Sequence, residues 1–124
     1  MPGSSDYFLF SGVTYANSAK EQVLKVPAAI LREHGAVHAE TARHMAQGAR
    51  QVAGADYAIA TSGIAGPGGG TADKPVGTLC IGLATPQAVQ GFTYHFPVRS
   101  REQNKQLFTA VAMNKLRKEL LKTC

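Results

Sequence analysis

The stretch Val76-Gly77-Thr78-Leu79-Cys80-Ile81-Gly82-Leu83-Ala84 constrains the fold more than any other part of this chain. It carries no charge and does not alternate apolar with polar residues. A strand of that kind is covered on both faces, and covering both faces of a sheet takes helices on both sides. The chain supplies helices in the right places. Ala42, Met45, Ala46, Ala49, Val52 and Ala53 recur at helical spacing, so a helix is expected over Ala39–Ala53. Its face is mostly alanine, which lets a helix lie close to a sheet. A second long helix is expected from Ser100 or Arg101 to Leu121, with Leu107, Phe108, Val111, Ala112, Leu116, Leu120 and Leu121 as its buried stripe.

Shorter elements fill the rest. Tyr7-Phe8-Leu9-Phe10 and Gly12-Val13-Thr14-Tyr15 are aromatic and β-branched and read as a strand, following a turn over Met1–Asp6. Asn17 or Ser18 is expected to cap a short helix carrying Lys20, Val23 and Leu24. Pro27 suits the first turn of another, which Gly35 ends. Asp56–Ser62 reads as a strand. Gln90–Phe96 alternates more and reads as a strand near an edge, stopped by Pro97. The short Thr85-Pro86-Gln87 link predicts an antiparallel hairpin with Val76–Ala84. The expected fold is therefore α/β, a three-layer α/β/α sandwich with a mixed sheet. The 124 residues form one domain, with no repeat and no interdomain linker.

Charge and cysteines narrow the function classes. The net charge of +5 falls entirely in residues 99–124, which hold seven basic and two acidic side chains; residues 1–98 balance six against six. A nucleic-acid binder spreads its charge more widely, and Lys115, Arg117, Lys118 and Lys122 lie largely opposite the apolar stripe. Nucleic acid is thus an unlikely partner. No apolar run approaches the roughly 20 residues of a membrane span. No signal peptide is visible, and two cysteines make no disulfide framework, so a cytoplasmic setting is expected. Cys80 reads as a buried strand thiol and Cys124 as an exposed terminal one. The four histidines, His34, His38, His44 and His95, do not complete a metal set with carboxylates or cysteines at ligand spacing.

Two groups of residues carry candidate chemistry. The first is the loop Thr61-Ser62-Gly63-Ile64-Ala65-Gly66-Pro67-Gly68-Gly69-Gly70-Thr71, which follows a strand, where α/β proteins place ligands. Its four glycines in five residues let backbone N–H groups approach an anion, although a plain surface turn would look the same. It is not a P-loop, because Gly69-Gly70 stands where Lys-Ser/Thr is required, and not a dinucleotide fingerprint, because Pro75 follows instead of a helix. The second is Tyr15 with Lys20. A lysine in the first turns of a helix, if also buried, has a lowered pKa and can act as a base; a solvated helix lysine does neither. Arg101 and Lys105, at i and i+4 on the long helix, would both meet a phosphate at its start.

Three blocks together resemble one family. They are Pro2-Gly3-Ser4-Ser5 with Val13-Thr14-Tyr15-Ala16-Asn17-Ser18-Ala19-Lys20; Glu33-His34-Gly35-Ala36-Val37 leading to Glu40-Thr41-Ala42; and Ser62 to Thr71 with Lys74-Pro75-Val76-Gly77-Thr78. The chain resembles the C-terminal domain of the competence/damage-inducible protein CinA, a family that includes nicotinamide mononucleotide deamidases. The resemblance implies an α/β/α domain, commonly a homo-oligomer. It implies hydrolysis of nicotinamide mononucleotide to nicotinate mononucleotide and ammonia, with no metal or cofactor. By the same resemblance a serine attacks the amide, with Tyr15 and Lys20 beside it. Asn17, Ser62, Gly63, Gly66, Gly68, Gly69, Gly70, Thr71 and Arg101 would hold the substrate. Arg99-Ser100 stand where the family has Gly-Asp before that arginine, and His38 replaces the small hydroxyl residue that caps the long helix. The family's serine lies in a Glu-Ser-Cys-Thr-Gly-Gly stretch that these 124 residues do not contain. The expectation is a partial, N-terminally truncated domain, or alternatively a silent nucleotide-binding or oligomerisation module.

Overall fold

The computed structural model describes residues 2–122. After a 3-10 turn at Ser4–Asp6 come α1 (Asn17–Leu24), α2 (Ala28–His34), α3 (Ala39–Ala53), β1 (Ala58–Gly63), β2 (Thr78–Ala84), β3 (Val89–His95) and α4 (Arg101–Leu121). The sheet order is β1-β2-β3, and β2 is buried at every residue. Because strand side chains alternate, the two faces of β2 meet different helices. Leu79 and Ile81 join Phe108 and Ala112 of α4, with Ile59, Phe92 and Tyr94 around them. Gly82 faces α3. On that side Leu24, Val26, Leu31 and Met45 form a second cluster with Ile30, Ala49 and Ala60. The result is an α/β/α arrangement with α1, α2 and α3 on one side and α4 on the other.

The approach of α3 to the sheet depends on missing side chains. Gly82 and Gly91 are cross-strand partners, and a Cβ on either would run into the α3 backbone, at Ala42 O and Ala39 O respectively. Ala42 and Ala46 lie over this flat floor, fully buried. Gly48 admits the end of α1 in the same way, against Leu24 O.

The structure corrects several expectations. Residues 8–16 form no strand, and Phe8, Leu9, Val13 and Tyr15 are exposed. Their β propensity is real, but a strand exists only where a neighbouring strand pairs with it, and no strand among the described residues pairs with these. The sheet is antiparallel throughout rather than mixed. The connection from β1 to β2 holds no helix to carry the chain across a face of the sheet, and it returns alongside β1. Ala16, not Asn17 or Ser18, stands at the start of α1, with no side-chain cap. Pro27 precedes α2 rather than joining its first turn. Leu120, Leu121 and Val52 are exposed, so the apolar stripes of α4 and α3 end earlier than their spacing suggests.

Other readings hold. The α3 bounds coincide with those expected, and Ser100 starts α4 through a reciprocal capping box with Gln103. The β2–β3 hairpin turns at Thr85, whose N–H donates to Ala88 O at 2.8 Å. Cys80 is buried; Cys124 lies outside the described residues. No helix among the described residues is long and apolar enough to cross a membrane.

Candidate active site

Lys20 is only 5% exposed, which is unusual for a lysine. Its position on α1 turns it under the preceding segment, where Nζ donates to Thr14 O at 2.6 Å and to Tyr15 O at 3.2 Å. Burial holds its pKa below the ordinary lysine value. A neutral amine has two N–H donors and one lone pair. Once deprotonated, Lys20 would keep both carbonyls on its N–H groups and hold its lone pair for a proton. Tyr15 meets Lys20 through its backbone carbonyl, while its side chain is among the most exposed in the molecule, at 87%. Asn17, one turn before Lys20, is exposed.

The glycine loop is tied down on its carbonyl side. Gly77 N–H donates to Ile64 O at 2.8 Å, Asn104 Nδ2 to Ala65 O at 2.9 Å, and Arg101 Nη1 to Gly66 O at 3.0 Å. At its foot, Ser62 Oγ donates to Ala36 O at 2.7 Å. Thr71 closes a turn in which its Oγ1 accepts from Lys74 N–H at 3.0 Å. Among the described residues nothing accepts from the N–H groups of Ala65, Gly66, Gly68, Gly69 or Gly70. Three loop carbonyls, at Ile64, Ala65 and Gly66, are engaged while these five amides are free, which leaves this stretch able to receive an anion. Gly66 has φ +84°, and a Cβ there would lie 2.6 Å from Val76, so only glycine fits. Gly63 ends β1 against Phe108. Gly68, Gly69 and Gly70 are exposed.

Arg101 is therefore beside the loop, but one of its N–H groups is already engaged by Gly66. The guanidinium has five donors, so others remain for a ligand. Lys105 is exposed and lies 4.0 Å from Glu102. No hydrogen bond among the described residues joins Lys20 or Asn17 to the loop.

Sequence reasoning missed two features. One is Asn104. The other is a cleft of about 260 Å³ near the loop's end, lined by His38, Lys74, Thr78, Cys80, Thr93 and His95 among others. His34 and His38 stack there with ring centroids 4.0 Å apart. Gly35 does break the helix between them, yet the turn it makes brings the rings together. His38 serves as the α3 cap: its Nδ1 accepts from Glu40 N–H at 3.0 Å.

That cap works only while Nδ1 is unprotonated. Burial, then His34 and Lys74, hold the His38 pKa below the usual 6.5, against the weaker pull of Glu40 and Glu33. In acid the unfolded chain therefore binds a proton that the folded one refuses. Stability should be flat above neutral pH and fall as pH drops from about 6.5 through the folded pKa. Urea midpoints across pH 5–8 check this. His38→Ser, which caps without titrating, should flatten part of the acid limb. His44, also lowered by burial and by Arg43, keeps the remainder.

A three-layer α/β domain with a glycine loop that offers free amides, and a buried lysine on a separate helix, defines the class of this protein. The family profile of the CinA C-terminal domain matches residues 1–120, and the chain belongs to that family. It is 57% identical over 121 residues to a "CinA-like protein" of Desulfosudis oleivorans, covering 98% of this chain and 29% of that protein. It is 52% identical over 120 residues to the "Nicotinamide-nucleotide amidohydrolase PncC" of Shewanella oneidensis, covering 97% and 28%. The crystal structure of competence/damage inducible protein CihA from Agrobacterium tumefaciens superposes with a TM-score of 0.80 at 36% identity, covering 84% of this chain and 64% of that one. The chain thus spans less than a third of the length of these curated relatives.

Proposed function

We propose that this domain binds a nicotinamide nucleotide and contributes to hydrolysis of its carboxamide, the activity that the name of its Shewanella oneidensis relative states. The polarity of the glycine loop carries the reading: engaged carbonyls at Ile64, Ala65 and Gly66, and free N–H groups around them. The free amides and Arg101 hold the nucleotide, with Ser62, Gly63 and Thr71 shaping the loop and Asn17 and Tyr15 bordering Lys20. The nucleophilic serine comes from a segment or chain outside these 124 residues. Its Oγ adds to the carboxamide carbon, and its proton passes to the lone pair of neutral Lys20. Collapse of the oxyanion breaks the C–N bond, and the leaving amine takes that proton from Lys20 to depart as ammonia. Water then cleaves the acyl ester, releasing nicotinate mononucleotide and restoring the serine. The setting is cytoplasmic, and a homo-oligomer covers the exposed apolar run Phe8–Phe10.

Calorimetry and an ammonia assay test this. The 124-residue chain should bind nicotinamide mononucleotide saturably and release little or no ammonia from it. Failure to bind any pyridine nucleotide would sink the proposal. Turnover by the chain alone at an ordinary enzyme rate, about 10 per second, would overturn the outside origin of the nucleophile.

A further inference from the structure

The buried stripe of α4 begins with a polar residue. Asn104, Phe108 and Ala112 follow at four-residue spacing and are all buried, Asn104 completely. Its Nδ2 donates to Ala65 O at 2.9 Å and to Arg99 O at 3.4 Å. These two carbonyls fix which way the amide faces, because exchanging its oxygen and nitrogen would set oxygen against oxygen twice. In that orientation Oδ1 is buried and meets no donor. A core position on a helix is ordinarily apolar, and a buried carbonyl without a partner is a cost that leucine would not carry. The asparagine must therefore supply something packing does not.

What it supplies is a direction. In a trans peptide the N–H points opposite to the C=O of the same unit. Holding Ala65 O against α4 thus aims the Gly66 N–H away from the helix. Gly77 does the same to the unit before it, through Ile64 O, and so aims the Ala65 N–H. Arg101 secures the next carbonyl, Gly66 O, ahead of Pro67, which has no N–H to aim. Asn104 is the member of this set that orients an amide from inside the core.

We propose that Asn104 is a positioning residue: it turns the Ala65–Gly66 peptide so that the Gly66 N–H meets the anionic part of the ligand. The identity of that ligand, a nicotinamide nucleotide, rests on the function proposed above; the positioning does not.

The test compares the 124-residue chain with its Asn104→Leu variant by amide hydrogen exchange, ¹H–¹⁵N spectra and calorimetry with nicotinamide mononucleotide. The variant strands Ala65 O and Arg99 O, and should melt somewhat below the parent. The Gly66 ¹H–¹⁵N resonance should move in the ligand-free variant, with those of β2 and α3 unchanged, and affinity should fall about tenfold or more. A variant that binds within twofold of the parent, with its Gly66 resonance unmoved, overturns the proposal. Should Asn104→Leu fail to fold, the parent alone decides. Its Asn104 side-chain protons should exchange slowly and shift together with Gly66 on adding the nucleotide, and a Gly66 resonance that shifts without Asn104 refutes the link. If the parent binds no nucleotide, the functional reading fails, and a displaced Gly66 resonance in the variant still supports the positioning role.

Discussion

Gly82→Ala is expected to be strongly destabilising. An added Cβ would lie 1.8 Å from Ala42 O and 2.4 Å from Ala42 C. Both are backbone atoms in the first turn of α3, so no side-chain rotation relieves the clash. The helix has to leave the sheet, and α3 is the element that packs on all three strands as well as on α1 and α2. Overpacking a core costs about 1–3 kcal/mol when side chains can adjust, and here they cannot. A loss of about 3 kcal/mol or more is expected from a total stability on the order of 5–15 kcal/mol. Urea unfolding should show an early, broadened transition. Gly68→Ala is the matching control: a Cβ there meets nothing within 4 Å, and stability should stay within about 0.5 kcal/mol. Equal midpoints for the two variants would refute the close approach of α3 to the sheet.

Lys20→Met is expected to reduce amide hydrolysis at least 100-fold, roughly the lower bound for losing a general base. The measurement needs the nucleophile, so it is made with this chain fused behind a family segment bearing Glu-Ser-Cys-Thr-Gly-Gly. Methionine fills the buried position without an amine to strand, so the fold should survive and nucleotide binding should change little. The pH profile separates catalysis from packing. With its pKa lowered by burial, Lys20 loses its proton at a lower pH than an ordinary lysine, and the alkaline rise in rate should come correspondingly early. Lys20→Arg, which keeps charge but cannot give up a proton, should be as inactive as Lys20→Met. An active methionine variant would remove Lys20 from the mechanism.

The two predictions rest on features of different legibility. The alanine face of α3 and the apolar β2 are readable from spacing alone, because burial on a helix or strand imposes its own period on the side chains. That Gly82 and Gly91 face each other beneath α3 is not readable, since register is a property of two strands together. Lys20 is visible as a helix lysine near Tyr15. Its burial is not, because that depends on the path of Thr14 and Tyr15 across it. Asn104 escaped notice for a related reason. A polar residue four positions before Phe108 looks like the end of a stripe, although the helical period places it on the buried face.

Local patterns in the chain determined the helices, the hairpin, the central strand and the identity of the glycine loop, since each follows from the side chains of consecutive residues. Tertiary structure alone decided the rest. Tyr7 to Tyr15 has the composition of a strand but no ladder to join, and a strand's stability belongs to the pair. The loop's glycines permit many conformations. It took Gly77, just ahead of β2, and Asn104 and Arg101 of α4 to hold the carbonyls of Ile64, Ala65 and Gly66 while the amides around them stay free.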